Sequence, residues 1–456
     1  MKNLIIPIIL LLITGNICAY SAEIVYPKSN NTIINSPRTF FIGSESPYKE
    51  LKINGQKVDI HSSGGFWHTV DLKEGDNIFS IENGTETKVY TICRQQTSMN
   101  TAKEPEEKLY NTPIEVQTLY NNIPLRATPI DFGINRLQHF SKGIKFKVIG
   151  EKGEFYKVQL GRDDFAWIEK SSVAVTDNPD FTPAKIESYT YTEYSNKRIF
   201  AIKLNKKTPY ILSDNNGLDL VIYNVEGFPY NKYEFHITDN GKRAGFNSYY
   251  KDDNELIIEV RNFEPIKKSH PLNEIKIIID PGHGSREYGA IGCLGDKEKD
   301  INLAIALKLE EKLKKSGAQV LMTRNDDSEI SLHDRVKFAN KNEAQIFVSI
   351  HNNALPDILA DKKRSGTEVY YFYPQSRILA KSILNSITAE MNLNNNGIKQ
   401  QSFAVIRNTY CLSILIEIAY IINPDDNAKL LDEKFQEGIA DSIVHGLENY
   451  LNDVQQ

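Results

Sequence analysis

Asp280-Pro281-Gly282-His283-Gly284 directly follows the apolar run Ile275-Lys276-Ile277-Ile278-Ile279 and precedes Glu298 and a long helical pattern. The run predicts a strand. Pro and Gly end it sharply, so that His283 projects at the carboxyl edge of a sheet, where α/β folds keep their sites. Alone the pentapeptide decides little, because a histidine in a tight turn is more often structural or solvated than a ligand. The residues downstream decide it.

After the turn, strand, loop and helix patterns repeat. Asp300 is placed to cap a helix whose Ile301, Ala304, Ile305, Leu309 and Leu313 share one face, and Gly317 closes it. A strand over 320–323, a helix over 332–340 and a strand over 346–350 ending at His351 come next. A strand over 368–372, a helix over 375–391, a strand over 414–416 ending at Glu417 and a terminal helix over 426–450 complete the pattern. This is an α/β domain with a mostly parallel sheet. Strand ends of such a sheet gather at one edge, so His283, His351 and Glu417 can converge although far apart in sequence.

Glu298 can close the set. Two histidines and a carboxylate are a standard catalytic zinc set, with a fourth position open for water. A further carboxylate at the rim can then act as general base and protonate the leaving amine. Glu417, preceded by apolar Ile414 to Ile416, suits that role. The alternative for Glu417 is an ion pair with Arg407 or a lysine, since a buried carboxylate needs a partner in either case.

Upstream of residue 273 the patterning is β throughout. Over 23–93, short apolar runs alternate with turn residues, as in Thr39-Phe40-Phe41-Ile42-Gly43 and Leu51-Lys52-Ile53-Asn54-Gly55. This predicts a small sandwich, similar to the immunoglobulin-like modules of secreted bacterial proteins. His61 and His68 read as surface residues here. Residues 94–108 are polar and read as a linker. Over 109–176, Leu125-Arg126-Ala127-Thr128-Pro129, the run from Gly143 to Gly150, and Ala166-Trp167-Ile168 resemble the bacterial Src-homology-3-like barrel. That likeness implies a cell-wall or peptide-binding module, with a structural spacer as the equal alternative. A third β sandwich is expected over 184–263, where Arg198 to Leu204, Leu218 to Tyr223 and Leu256 to Val260 read as strands, and it resembles envelope-targeting β modules of bacterial proteins. The proline-bounded stretch from Pro265 to Pro271 links it to the α/β domain.

The 456 residues are too many for one core. A net charge of -5, with Lys and Arg interleaved among Asp and Glu, excludes the clustered basic face that a nucleic-acid partner requires. Met1-Lys2, the apolar run from Leu4 to Ile13 and Ala19-Tyr20-Ser21 read as a cleaved signal peptide over 1–21. The run is too short to span a bilayer, so no stable membrane insertion is expected after cleavage. The address is secretion to the periplasm or cell envelope. Cys93, Cys293 and Cys411 give no disulfide framework.

The ordered blocks then carry a closer likeness. Asp280-Pro281-Gly282-His283-Gly284, Gly289-Ala290-Ile291-Gly292, Glu298-Lys299-Asp300, Thr323-Arg324, Leu332 with Arg335, Ser349-Ile350-His351-Asn352-Asn353, Gly366-Thr367-Glu368-Val369-Tyr370-Tyr371, and Ile416-Glu417-Ile418 with Asn423-Pro424 occur in that order. The region 273–452 is thereby similar to zinc-dependent N-acetylmuramoyl-L-alanine amidases. The resemblance implies that His283, Glu298 and His351 bind Zn2+ and that Glu417 is the catalytic glutamate. The reaction it implies is cleavage of the amide between the lactyl group of muramic acid and the first L-alanine of the peptidoglycan stem. Asn353 and Arg407 are candidates for holding substrate. Ser285 stands where the family usually has a second glycine, and Asn352 where it usually has alanine. The segment 355–365 is too short for a full self-inhibitory helix, and an envelope activator protein is a candidate partner of an expected monomer. A zinc peptidase cutting within stem peptides, or an inactive wall-binding protein, are the competing readings.

Overall fold

Strand Lys276–Pro281 carries the run before the turn and sits second in a six-stranded sheet. The order is Gln319–Met322, Lys276–Pro281, Ile346–Asn353, Leu412–Tyr420, Thr367–Tyr371 and Asn395–Gln400. A computed structural model describes residues 22–84, 86–95, 104–239, 241–251, 254–359, 361 and 363–454. The leader expected over 1–21, and residues 96–103 of the expected linker, lie outside the described residues.

The sheet is mixed. The first four strands are mutually parallel, as the repeating pattern predicts, but Thr367–Tyr371 runs antiparallel to Leu412–Tyr420 and parallel to Asn395–Gln400. Both faces are covered, which is why the strands read as continuous apolar runs. Ile277, Ile279, Val348, Ile414 and Ile416 face one core, together with Leu309 of α1 (Glu298–Lys315), Ile383 of α3 (Arg377–Glu390) and Ile443 of α5 (Glu433–Asp453). Their alternates Ile278, Phe347 and Leu415 face another, with Ala339 of α2 (Leu332–Lys341).

Several boundaries differ from the sequence reading. Helix α1 begins at Glu298, with Lys297 before it, and Asp300 lies in its first turn instead of capping it. The reason is local: Glu298 N–H donates to the Ala290 carbonyl and Lys299 N–H to the Tyr288 carbonyl, so the preceding loop turns the chain into the helix three residues early. The terminal helix is two helices. Asn423 accepts from the amides of Asp425 and Asp426 and Pro424 takes the first position of α4 (Pro424–Leu430), then Asp432 accepts from Phe435 N–H to start α5. Strand Asn395–Gln400 was not expected; its polar sequence is that of an edge strand. His351 and Glu417 lie inside their strands, not at the last position, and are cross-strand partners.

Upstream, residues 22–95 form sheets of three and five strands around Phe41, Leu51, Ile53, Phe66, Phe79 and Ile92. Residues 108–175 form one seven-stranded antiparallel sheet. Residues 186–262 form sheets of four and three strands. These units are docked, not merely tethered. The second and third share one apolar cluster, with the Phe140 and Tyr210 rings 5.5 Å apart across it. Arg261 of the third donates to the carbonyls of Ala344 and Tyr410 at 2.7 Å, and a β-carbon on Gly245 would collide with the Tyr410 carbonyl. Phe40, Ile42 and Trp67 of the first module belong to the catalytic-side core. His61, read as a surface residue, lies 3.3 Å from Asp425 across that junction. No described helix is long and apolar enough to cross a membrane.

Candidate active site

Register brings the predicted residues together. Asp280 pairs with Ser349 and Pro281 with Ile350, so the turn after Pro281 lies beside His351, and Glu417 lies across from His351 on its other side. His283 takes a left-handed backbone (φ 63), as does Ser285 (φ 50), which explains why glycine suits the latter position. Gly282 is required for close approach, because a β-carbon there would run into the His351 ring.

Glu298, on the first turn of α1, sits between the two histidines. His283 Nε2 lies 3.2 Å from its Oε2, and His351 Nδ1 lies 3.0 Å from its Oε1. One donor atom from each of the three residues lies within 4.8 Å of the others. Zinc bonds of about 2.0–2.1 Å imply a tetrahedral edge of roughly 3.3 Å, so the two short contacts match what such an ion asks of its ligands. The carboxylate is buried and fully bonded. Ala290 N–H donates to Oε2 at 2.8 Å, and Asn352 N–H and the Asn302 side chain donate to Oε1 at 3.2 and 3.3 Å. Burial pushes its pKa up, but the hydrogen bonds from His283 and His351 outweigh burial and hold it below the usual carboxylate range. Asn352 also donates to Asn302 Oδ1 at 2.8 Å, so the residue that departs from alanine braces a neighbour of the ligand carboxylate.

Glu417 is different. The residue keeps some exposure, but its Oε2 is shielded from solvent and has no hydrogen-bond partner among the described residues. Burial, then the carboxylates of Glu298 and Glu368, push its pKa well above the usual value. Glu368 is its cross-strand partner on the far side. That carboxylate is held anionic: burial raises it, but Lys399 Nζ at 2.7 Å and the hydroxyls of Tyr370 and Tyr420 more than offset this. Asn353 faces the same carboxylate, with Nδ2 3.3 Å from Glu368 Oε2.

Arg407 is not brought to this cluster. It lies in the connection between Asn395–Gln400 and Leu412–Tyr420, before the amino end of the latter strand, and donates to the Ser402 carbonyl at 2.7 Å. The ion pair with Glu417 left open by the sequence is absent.

Arg324 and Arg335 have a role that only the structure shows. Arg335 donates to Asp280 Oδ1 at 2.7 Å and to the carbonyls of Pro281 and His283, and Arg324 donates to those of Pro281 and Gly282. Two buried guanidiniums thus hold the histidine turn by its backbone. The available signal was Arg335 on the buried stripe of α2 one turn before Ala339. Arg335→Leu leaves the buried Asp280 without its counter-charge and is expected to destabilise the protein by about 3–5 kcal/mol in urea unfolding. Adding Asp280→Asn is expected to recover part of the loss; parental stability in the single variant would mean that the pair does not hold the turn.

The α/β domain is similar to known proteins. Residues 277–449 match the family model described as N-acetylmuramoyl-L-alanine amidase. The uncharacterized protein YqiI of Bacillus subtilis (strain 168) is 37% identical over 186 residues, which cover 40% of this chain and 87% of that protein. The "Probable cell wall amidase LytH" of Staphylococcus aureus is 35% identical over 188 residues, 41% of this chain and 62% of its own length. Among solved structures, an N-acetylmuramoyl-L-alanine amidase from Clostridium difficile 630 is 36% identical, covering 39% of this chain and 97% of that one, with a TM-score of 0.38.

Proposed function

The chain belongs to the N-acetylmuramoyl-L-alanine amidase family through residues 277–449 and is an amidase of peptidoglycan, and from that premise we propose how its residues divide the work. His283, Glu298 and His351 are the ligands of a zinc ion. When bound, zinc supplies a Lewis acid for the scissile carbonyl and makes a water nucleophilic near neutral pH. The observation that carries this assignment is the pair of 3.2 and 3.0 Å His–Glu contacts around one buried carboxylate.

Glu417 is the general base. Its unpartnered oxygen is free to accept the proton of the attacking water and to return it to the departing amine of L-alanine. Burial, then the carboxylates of Glu298 and Glu368, raises the proton affinity of Glu417, which suits a base that takes a proton from water. Asn353, beside Glu368, is a proposed substrate contact; Arg407, which lies before the amino end of Leu412–Tyr420 and bonds Ser402, is not. We place the enzyme in the cell envelope as a monomer. An envelope activator stays a proposed partner, with the exposed Ile358 and Leu359 on the loop after Asn353 as its candidate contact.

Digestion of purified sacculi tests the reaction. Free stem peptides beginning with L-alanine and glycan stripped of peptide are the expected products. Fragments cut within the stem would assign the site to a peptidase instead.

A further inference from the structure

A cavity of about 590 Å3 lies where the second module, the third module and the α/β domain meet, away from the histidine cluster. Arg136 and His139 come from the second module, Ser248 from the third, and Asn340, Arg407 and Asn408 from the α/β domain. The edge is the opposite one, since Arg407 precedes the amino end of a strand whose later part carries Glu417. No carboxylate is among the described residues lining it.

Two guanidiniums, Arg136 and Arg407, line it, and a third, Arg126, lies next to Arg136 without lining the cavity itself. Arg126 is the cross-strand partner of Arg136 and only 3% exposed. Their hydrogen bonds go to neutral groups: Arg126 to Asn135 Oδ1 at 3.3 Å, Arg136 Nη1 to His139 Nε2 at 3.4 Å, and Arg407 to the carbonyl and hydroxyl of Ser402. The Nε atoms of Arg126 and Arg136 are buried without a partner, and among the described residues none of the three arginines has a carboxylate within ion-pair distance. Asp131 and Glu169 act on Arg126, and Asp131 on Arg136, only at longer range. Burial lowers each guanidinium pKa, and Arg126 and Arg407 are lowered further by Arg136. The His139 imidazole is pushed down to about 4 by burial and by Arg136, Arg407 and Arg126, so it is neutral at pH 7 and able to accept from Arg136.

Native proteins pair buried charge, because an isolated ion loses its hydration and like charges repel strongly in a poorly polarisable interior. Here the chain, net -5 overall, concentrates unpaired positive charge at one junction and lines it with neutral donors. Arginine forks match carboxylate and phosphate oxygens two at a time. We propose that this junction is an oxyanion-binding site whose ligand bridges the two β modules and the catalytic domain. The oxyanion is a phosphate group or a carboxylate of a peptidoglycan stem, and its binding fixes the relative position of the three units.

The test uses the full chain in calorimetric titration and thermal unfolding. One arm adds sodium phosphate against sodium chloride at equal ionic strength; the other adds a purified stem tetrapeptide. Saturable binding of at least one probe is expected, with a Tm that rises with its concentration, and the arm that responds identifies the source. Arg136→Gln is expected to weaken binding about tenfold or more, while its Tm without probe is no lower than the parent's, because a repulsive charge has gone. Should that variant not fold, His139→Glu takes its place: a carboxylate among the guanidiniums is expected to raise the probe-free Tm and abolish binding. Absence of response to both probes, or a folded variant that binds as tightly as the parent, overturns the proposal. Neither measurement reads catalysis, so its failure leaves the amidase reading untouched.

Discussion

Glu417→Gln is expected to lower kcat on sacculi by about 10²–10⁴-fold while leaving the metal content of the purified protein unchanged. Glutamine keeps the size of the side chain but cannot take a proton from water or return one to an amine. The metal readout separates this role from ligation. Glu298 is flanked by both histidines at 3.0–3.2 Å, whereas Glu417 reaches the cluster only as the cross-strand neighbour of His351. A Glu417→Gln protein that loses its metal would make Glu417 a ligand. One that keeps both metal and activity would remove it from the mechanism.

Removing the proposed metal is the change with the other large expected effect. Chelation followed by dialysis is expected to abolish hydrolysis, with recovery on adding Zn2+ alone. It is also expected to lower stability by about 3–4 kcal/mol relative to protein held at 100 to 1,000 times the dissociation constant, because only the folded chain assembles the site. His351→Ala is expected to copy chelation and to resist rescue. The ligand cluster is built from a turn, a helix start and a strand, with 15 positions from His283 to Glu298 and 53 from Glu298 to His351. Activity that survives complete metal removal would falsify the zinc assignment.

Much of the α/β domain was legible because its apolar runs and punctuation are strong local signals. The His283 turn, the His351 strand and the Glu417 strand were all visible as buried runs interrupted by a polar group. What was not legible depended on partners distant in sequence. Asp300 looked like a cap because Asp is a good cap, but the Ala290 and Tyr288 carbonyls capture the chain earlier. Arg407 was a candidate substrate contact and a possible partner of Glu417, but it is at the other edge of the sheet. The reversal of strand Thr367–Tyr371 sends the following connection to the other edge of the sheet. Nothing local in the sequence marks Glu368, since only cross-strand register sets it beside Glu417.

The sequence by itself pointed to the α/β class of the carboxyl-terminal domain, to most of its strands and helices, and to the candidate metal ligands and general base. These follow from periodicity and residue chemistry within short windows. Tertiary structure alone decided that Glu417 is unpaired, that Arg324 and Arg335 hold the histidine turn by its carbonyls, and that three arginines converge at a domain junction. Each depends on contacts tens to hundreds of residues apart. Burial and register act over distance in space, and no local pattern records them.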